Sequence, residues 1–117
     1  FRIGNIHSAR KTPVSVKPNA TIEEAVTLML ARGFSQLPIM PNDRDVKGVV
    51  SWSSIGARMA AKQAGADVMA YRDPHHEVRA SESLFTAVKI IAEFDYVLVR
   101  GGDTKIQGIV TASDISI

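Results

Sequence analysis

The sequence predicts an α/β fold of the α+β kind, made of two β-α-β-β-α repeats packed sheet to sheet. Three observations predict it. Ile22, Ala25, Val26 and Met29 lie at i, i+3, i+4 and i+7, which is one face of a helix, and Leu84, Ala87, Val88 and Ile91 repeat that spacing 62 residues later. Gly48-Val49-Val50-Ser51-Trp52-Ser53-Ser54-Ile55 is echoed by Gly108-Ile109-Val110-Thr111-Ala112-Ser113-Asp114-Ile115, 60 residues on. Ile6 to Val16 maps onto Val68 to Val78, with Arg10 falling on Arg72. The offset falls from 62 to 60 between helix and strand, so the second copy lacks two residues there.

In the first copy a short strand is expected around Val14 to Val16, followed by a turn at Pro18-Asn19. Thr21 caps a helix, with Glu24 completing a capping box and Gly33 stopping it. Gln36 to Met40 and Val46 to Ser51 read as a hairpin around Pro41-Asn42-Asp43. Ser53 or Ser54 opens a second helix that runs to Gly65. In the second copy the strands are Glu77 to Arg79, Tyr96 to Arg100 and Lys105 to Thr111, with a helix over Ser83 to Phe94 and another from near Ser113. Val97-Leu98-Val99 and Ile109-Val110 are apolar throughout, which predicts strands covered on both faces. One copy alone has a thin core, so the two are expected to share one. The division expected is residues 1–66 and 67–117, the last helix being cut off at Ile117.

Composition narrows the function classes. Hydrophobic residues are 45% and charged residues 22%, a globular balance. Aromatic residues are 6%, too few for single-strand stacking platforms, and the 14 basic residues are dispersed rather than clustered, so nucleic-acid binding is not expected. There is no Cys, which removes disulfides and thiolate metal sites and fits a cytoplasmic protein. No apolar run approaches the roughly 20 residues that span a bilayer. The N-terminus lacks both Met and a signal-peptide pattern, and further chain is expected beyond both ends.

The repeat resembles the CBS domain family, from about Ile6 to Ile117. The family hallmark is Gly, two apolar residues, Ser or Thr, two variable residues, Asp, then an apolar residue. The second copy carries it in full as Gly108, Ile109, Val110, Thr111, Asp114 and Ile115. The first has Ser54 where Asp is usual, and Leu37-Pro38-Ile39 matches the family's second strand. The resemblance implies a pseudo-two-fold pair (a Bateman module) with two clefts between the copies, binding AMP, ADP, ATP or S-adenosylmethionine. It implies an allosteric regulatory role on a partner or fused domain, homodimers, no required cofactor and no catalysis.

Chemistry supports an acid at that position. The vicinal ribose hydroxyls are both donors, and an ionised carboxylate accepts both. Asp114 sits where a strand hands over to a helix, so it can cap the helix and still face a ligand, with Thr111 and Ser113 beside it. The resemblance places the base against Ala9, Pro13, Val14, Phe34 and Ser35, with Arg10, Lys11 and Arg32 in reach of a phosphate. The second cleft, with Ser54 for its acid and a wall shortened between Phe94 and Tyr96, is expected to be poor, so one site is expected. Pure helix capping by Asp114 is the competing reading, and with it a structural dimerisation module that binds nothing small. His75-His76 read as a surface loop, and neither they nor His7 make a metal site. Trp52 and the four methionines read as core or interface packing. Gly101-Gly102-Asp103 reads as a hairpin turn, and no catalytic residues are identified.

Overall fold

The computed structural model describes residues 1–62 and 65–115. They form two compact units: one is Val14–His75, the other joins Phe1–Pro13 to His76–Ile117. These units are cut differently from the repeats at 66/67, because each takes up the segment that precedes the other repeat. Each unit is a small mixed α/β body, and the two are described in turn.

In the first-repeat unit, helix α1 (Ile22–Arg32) starts at Thr21, whose hydroxyl accepts from the Glu24 N–H at 3.1 Å. Only this half of the expected capping box forms; Glu23 and Glu24 instead place negative charge in the first turn, where the helix dipole favours it. Gly33 ends the helix in the left-handed region at φ 69°. Strands β1 (Gln36–Ile39) and β2 (Gly48–Ser51) pair antiparallel, and Asn42 Oδ1 accepts from the Arg44 and Asp45 N–H groups to shape the turn. The strand expected over Val14 to Val16 reduces to one parallel bridge, Val16 to Ile39. Both backbone groups of Val16 make it, the N–H donating to Pro38 O at 3.0 Å and the carbonyl accepting from Met40 N–H at 2.8 Å.

Helix α2 (Trp52–Ala60) is opened by Ser51, not by Ser53 or Ser54, and ends at Ala60, well short of Gly65. Ser51 and Ser54 form a reciprocal capping box: Ser51 N–H donates to Ser54 Oγ at 2.8 Å and Ser54 N–H to Ser51 Oγ at 3.0 Å. The core gathers Val16, Ile22, Ala25, Met29, Leu37, Ile39, Val50, Ile55, Val68 and Tyr71.

In the second-repeat unit, β3 (Glu77–Arg79) pairs parallel with β4 (Tyr96–Arg100), and β4 pairs antiparallel with β5 (Ile106–Thr111). The hairpin register copies the first repeat residue for residue: Leu37 faces Val50 as Val97 faces Val110, and Ile39 faces Gly48 as Val99 faces Gly108. Val97, Leu98 and Val99 are fully buried, so both faces of β4 are covered. Arg100 holds Glu77 with two parallel bonds of 2.6 and 2.8 Å across β3 and β4. Helix α3 (Leu84–Phe94) is capped by Ser83 and ends at Asp95, which adopts φ 73° where the first repeat uses glycine. The hairpin turns at Gly101-Gly102-Asp103 as expected, but the turn extends through Lys105, which was expected in the strand. Helix α4 (Ala112–Ile115) follows β5, and the expected cut at Ile117 lies outside the described residues.

The signature glycines have a backbone reason. A Cβ on Gly108 would overlap the backbone of Ala9 and the carbonyl oxygen of Ser8. The short 3-10 turn His7–Arg10 is thereby seated on β5. In the other unit Gly48, at φ 148°, makes room for Arg72 and the Asp73 carbonyl. Ser8 itself carries a buried hydroxyl with no hydrogen-bond partner among the described residues. Such a group costs about 1–3 kcal/mol. Ser8→Ala is therefore expected to stabilise the protein by roughly 1 kcal/mol in urea denaturation; a loss of stability would show that the hydroxyl is satisfied in solution.

Candidate functional site

The second-repeat unit brings Thr111, Ser113 and Asp114 together at the handover from β5 to α4. Asp114 Oδ2 accepts the Thr111 N–H at 2.7 Å and the Thr111 hydroxyl at 3.1 Å. Ser113 Oγ lies 2.9 Å from Thr111 Oγ1. With the Thr111 proton directed at the carboxylate, Ser113 is the donor of that pair. Asp114 is thus not the N-cap that the sequence allowed. It stands three places past the Thr111 N-cap, at N3, and forms half of a box: the carboxylate accepts from Thr111 N–H as Ser54 Oγ accepts from Ser51 N–H, while the Thr111 hydroxyl donates to the carboxylate where the Ser51 hydroxyl accepts from Ser54 N–H.

The two boxes differ in what they leave over. Ser54 is 1% exposed and its hydroxyl is consumed by Ser51. Asp114 is exposed, and Oδ2 takes both bonds, which leaves Oδ1 without one among the described residues. A carboxylate clamped through one oxygen and open at the other is an oriented acceptor for a hydroxyl or diol donor.

Of the other expected site residues, Ala9, Arg10 and Pro13 belong to this same unit. Ala9 is fully buried in its core, beside Val97, Val99 and Val110, so its side chain serves packing. Arg10 is exposed on the turn seated on β5, and Pro13 is half-buried. Val14, Phe34 and Ser35 belong to the first-repeat unit. Val14 and Phe34 pack against its core, while Ser35 is exposed and its carbonyl accepts from Trp52 N–H at 3.3 Å.

Several arrangements escaped the sequence. His76 is not a free loop residue: its ring stacks on Phe94 with centroids 3.6 Å apart, and its N–H donates to Tyr96 Oη at 3.1 Å. Arg58, one of the dispersed basic residues, donates to Arg72 O and Asp73 Oδ1, each at 2.8 Å. Met29 and Met40 fill the core as expected, but Met59 is 55% exposed and Trp52 41% exposed, so neither is a core residue. Among the described residues no cluster of three or more His, Asp or Glu could hold a metal ion, and no helix is long and apolar enough to cross a membrane.

The family model described as CBS domain matches the chain twice, over residues 3–58 and 66–116. No curated protein matches it. Among solved structures, CBSX2 in complex with AMP is similar at 25% identity and TM-score 0.82, covering 98% of this chain and 92% of that one. CBSX2 is a CBS-pair protein from Arabidopsis thaliana. A CBS domain protein from Pyrobaculum aerophilum complexed with AMP is 18% identical with TM-score 0.85, covering 100% and 92%. The CBS domain of a bacterial CNNM/CorC family Mg2+ transporter in complex with ATP is 18% identical with TM-score 0.79, covering 97% and 83%. At 18% identity the last two likenesses show the fold alone.

Proposed function

Because this chain belongs to the CBS domain family, with one copy of the domain in each repeat, we propose that it is a regulatory module that binds an adenosine nucleotide (AMP, ADP or ATP) or S-adenosylmethionine and passes the signal to a partner or fused domain. The observation that carries this is the exposed Asp114 carboxylate, fixed through Oδ2 and, among the described residues, open at Oδ1. It would receive the ribose hydroxyls, with Thr111 and Ser113 beside them. Arg10 is assigned to phosphate, and Pro13, Val14, Phe34, Ser35 and the Ala9 backbone to the base. The similarity to CBSX2, solved in complex with AMP, supports that choice of ligand class.

We assign one nucleotide per chain, because Ser54 is neutral, buried and already committed. We assign the module no catalytic step of its own, a cytoplasmic setting and a homodimeric state. Thermal shift with AMP, ADP, ATP and S-adenosylmethionine tests the ligand directly. At 100 times its dissociation constant a ligand adds about 2.7 kcal/mol. That is a melting-temperature rise of roughly 8 °C or more for a chain of this size. Titration calorimetry should then give a stoichiometry of one.

A second reading, a dimerisation module without small ligand, draws on one feature. Helix α2 exposes Trp52 and Met59 along one side, with open space around Gly56 between them. No melting shift with any of the four ligands, together with a dimer in light scattering, would favour it.

A further inference from the structure

We propose that Arg58 is the buckle of a strap that holds the segment leading into the second repeat, and that this strap tunes ligand binding without touching the ligand. The chain leaves the first-repeat unit at His75 and enters the other at His76. Just before that crossing it is tied down three ways. Asp73 and Val49 exchange backbone bonds, Asp73 N–H to Val49 O at 2.9 Å and Val49 N–H to Asp73 O at 3.0 Å. Gly48, at φ 148°, opens the space that the Asp73 carbonyl and the Arg72 side chain fill. Arg58 Nη2 then clasps the segment from α2, donating to Arg72 O and to Asp73 Oδ1, each at 2.8 Å.

Two features make the clasp a releasable one. The Arg58 and Asp73 side chains keep 28% and 50% of their exposure, so water and salt reach the pair. The backbone pairing it secures is an isolated bridge, not a strand, and so has no neighbouring ladder to share the load. What the strap restrains leads to the candidate site. Four residues past Asp73, Glu77 begins β3; β3 is bonded to β4 and β4 to β5; β5 ends in Thr111, which holds Asp114. At its other end the buckle stands on α2, the helix that exposes Trp52 and Met59. A load placed on α2 would therefore be felt at Asp73, from which the chain runs directly into β3. The coupling half of this proposal rests on the nucleotide-binding reading; the strap itself does not.

Amide exchange by NMR on the full chain separates the two. In Arg58→Ala the Val49 and Asp73 amides are expected to exchange about tenfold faster, the loss of one charged clasp with two acceptors. The amides of Met40 and Phe34, bonded to Val16 O and Met29 O in the same unit, should stay within twofold of wild type. Asp73→Asn, which keeps the acceptor and drops the charge, should give about a threefold increase. High salt should narrow the gap between wild type and Asp73→Asn. Unchanged exchange at Val49 and Asp73, or an equal rise at Met40 and Phe34, overturns the strap.

With AMP as the probe, Arg58→Ala should weaken binding about threefold although Arg58 is no ligand contact, within the usual range for coupling between sites. Faster exchange with an unchanged AMP affinity overturns the coupling and leaves only a local clasp. If the wild type binds no AMP, the proposed function fails for that ligand, and the exchange data still decide the strap.

Discussion

Asp114→Ser is expected to weaken AMP binding at least thirtyfold while leaving the fold intact. The substitution installs in the second repeat the residue that the first repeat already uses. Ser54 shows that a serine at this place closes the box with the residue three positions before it, through bonds of 2.8 and 3.0 Å. Capping is therefore preserved, and the melting temperature should move by no more than about 2 °C, since an exchange of one good capping group for another is worth a few tenths of a kcal/mol. What disappears is the charge and the open Oδ1. Bonds to an ionised acceptor contribute about 1.5–3 kcal/mol each, and two ribose hydroxyls are at stake, so a loss of about 3–6 kcal/mol is expected. Titration calorimetry reads it. An undiminished affinity would remove Asp114 from the site; a collapse in melting temperature would show that its work is structural.

Gly108→Ala is the variant expected to cost most stability. The added methyl meets the backbone of Ala9 and Ser8 rather than the tip of a flexible side chain, so no rotamer change relieves it. Either the turn His7–Arg10 lifts off β5 or β5 distorts. Ala9 and Ile3, both fully buried, would follow the turn out of the core. A loss of roughly 3 kcal/mol or more is expected in urea denaturation, a large share of what a domain of this size has. Gly48→Ala should cost too, through its φ of 148° and the Asp73 carbonyl 2.9 Å from the new Cβ, but part of its clash is with the movable Arg72 side chain. A change below 1 kcal/mol at Gly108 would mean that the N-terminal segment is not seated there in solution.

Much of this was legible in the residues. The repeat was visible because apolar spacing and the glycine-led strand survive in both copies, and Tyr96 to Arg100 and Glu77 to Arg79 form strands with the expected limits. Helix α1 was fixed by Thr21 and Gly33, residues whose chemistry is local. What failed depended on geometry that spacing does not carry. The first strand shrank to a single bridge from Val16 to Ile39. The start of α2 was misplaced because Ser51, Ser53 and Ser54 are equivalent as sequence, and only geometry selects Ser51. Asp114 was readable as an acid in the right place, but its binding mode (one oxygen clamped, one open) was not. The glycines were read as a family mark, while their steric reason lies in Ala9 and Asp73, which no spacing rule connects to them.

The second-repeat unit is assembled from two segments that lie on either side of the first-repeat unit in sequence, and this sets an order of events during synthesis. Residues 14–75 are contiguous, so the first-repeat unit has every strand and helix it needs once that stretch has left the ribosome. The other unit must wait. Its opening segment emerges first and finds its place on β5 last, almost a whole chain length later. Closure across that separation is slow compared with local helix and hairpin formation. During that interval Ile3 and Ala9 have no core to enter, and the nascent chain would carry them in the open until Gly108 arrives.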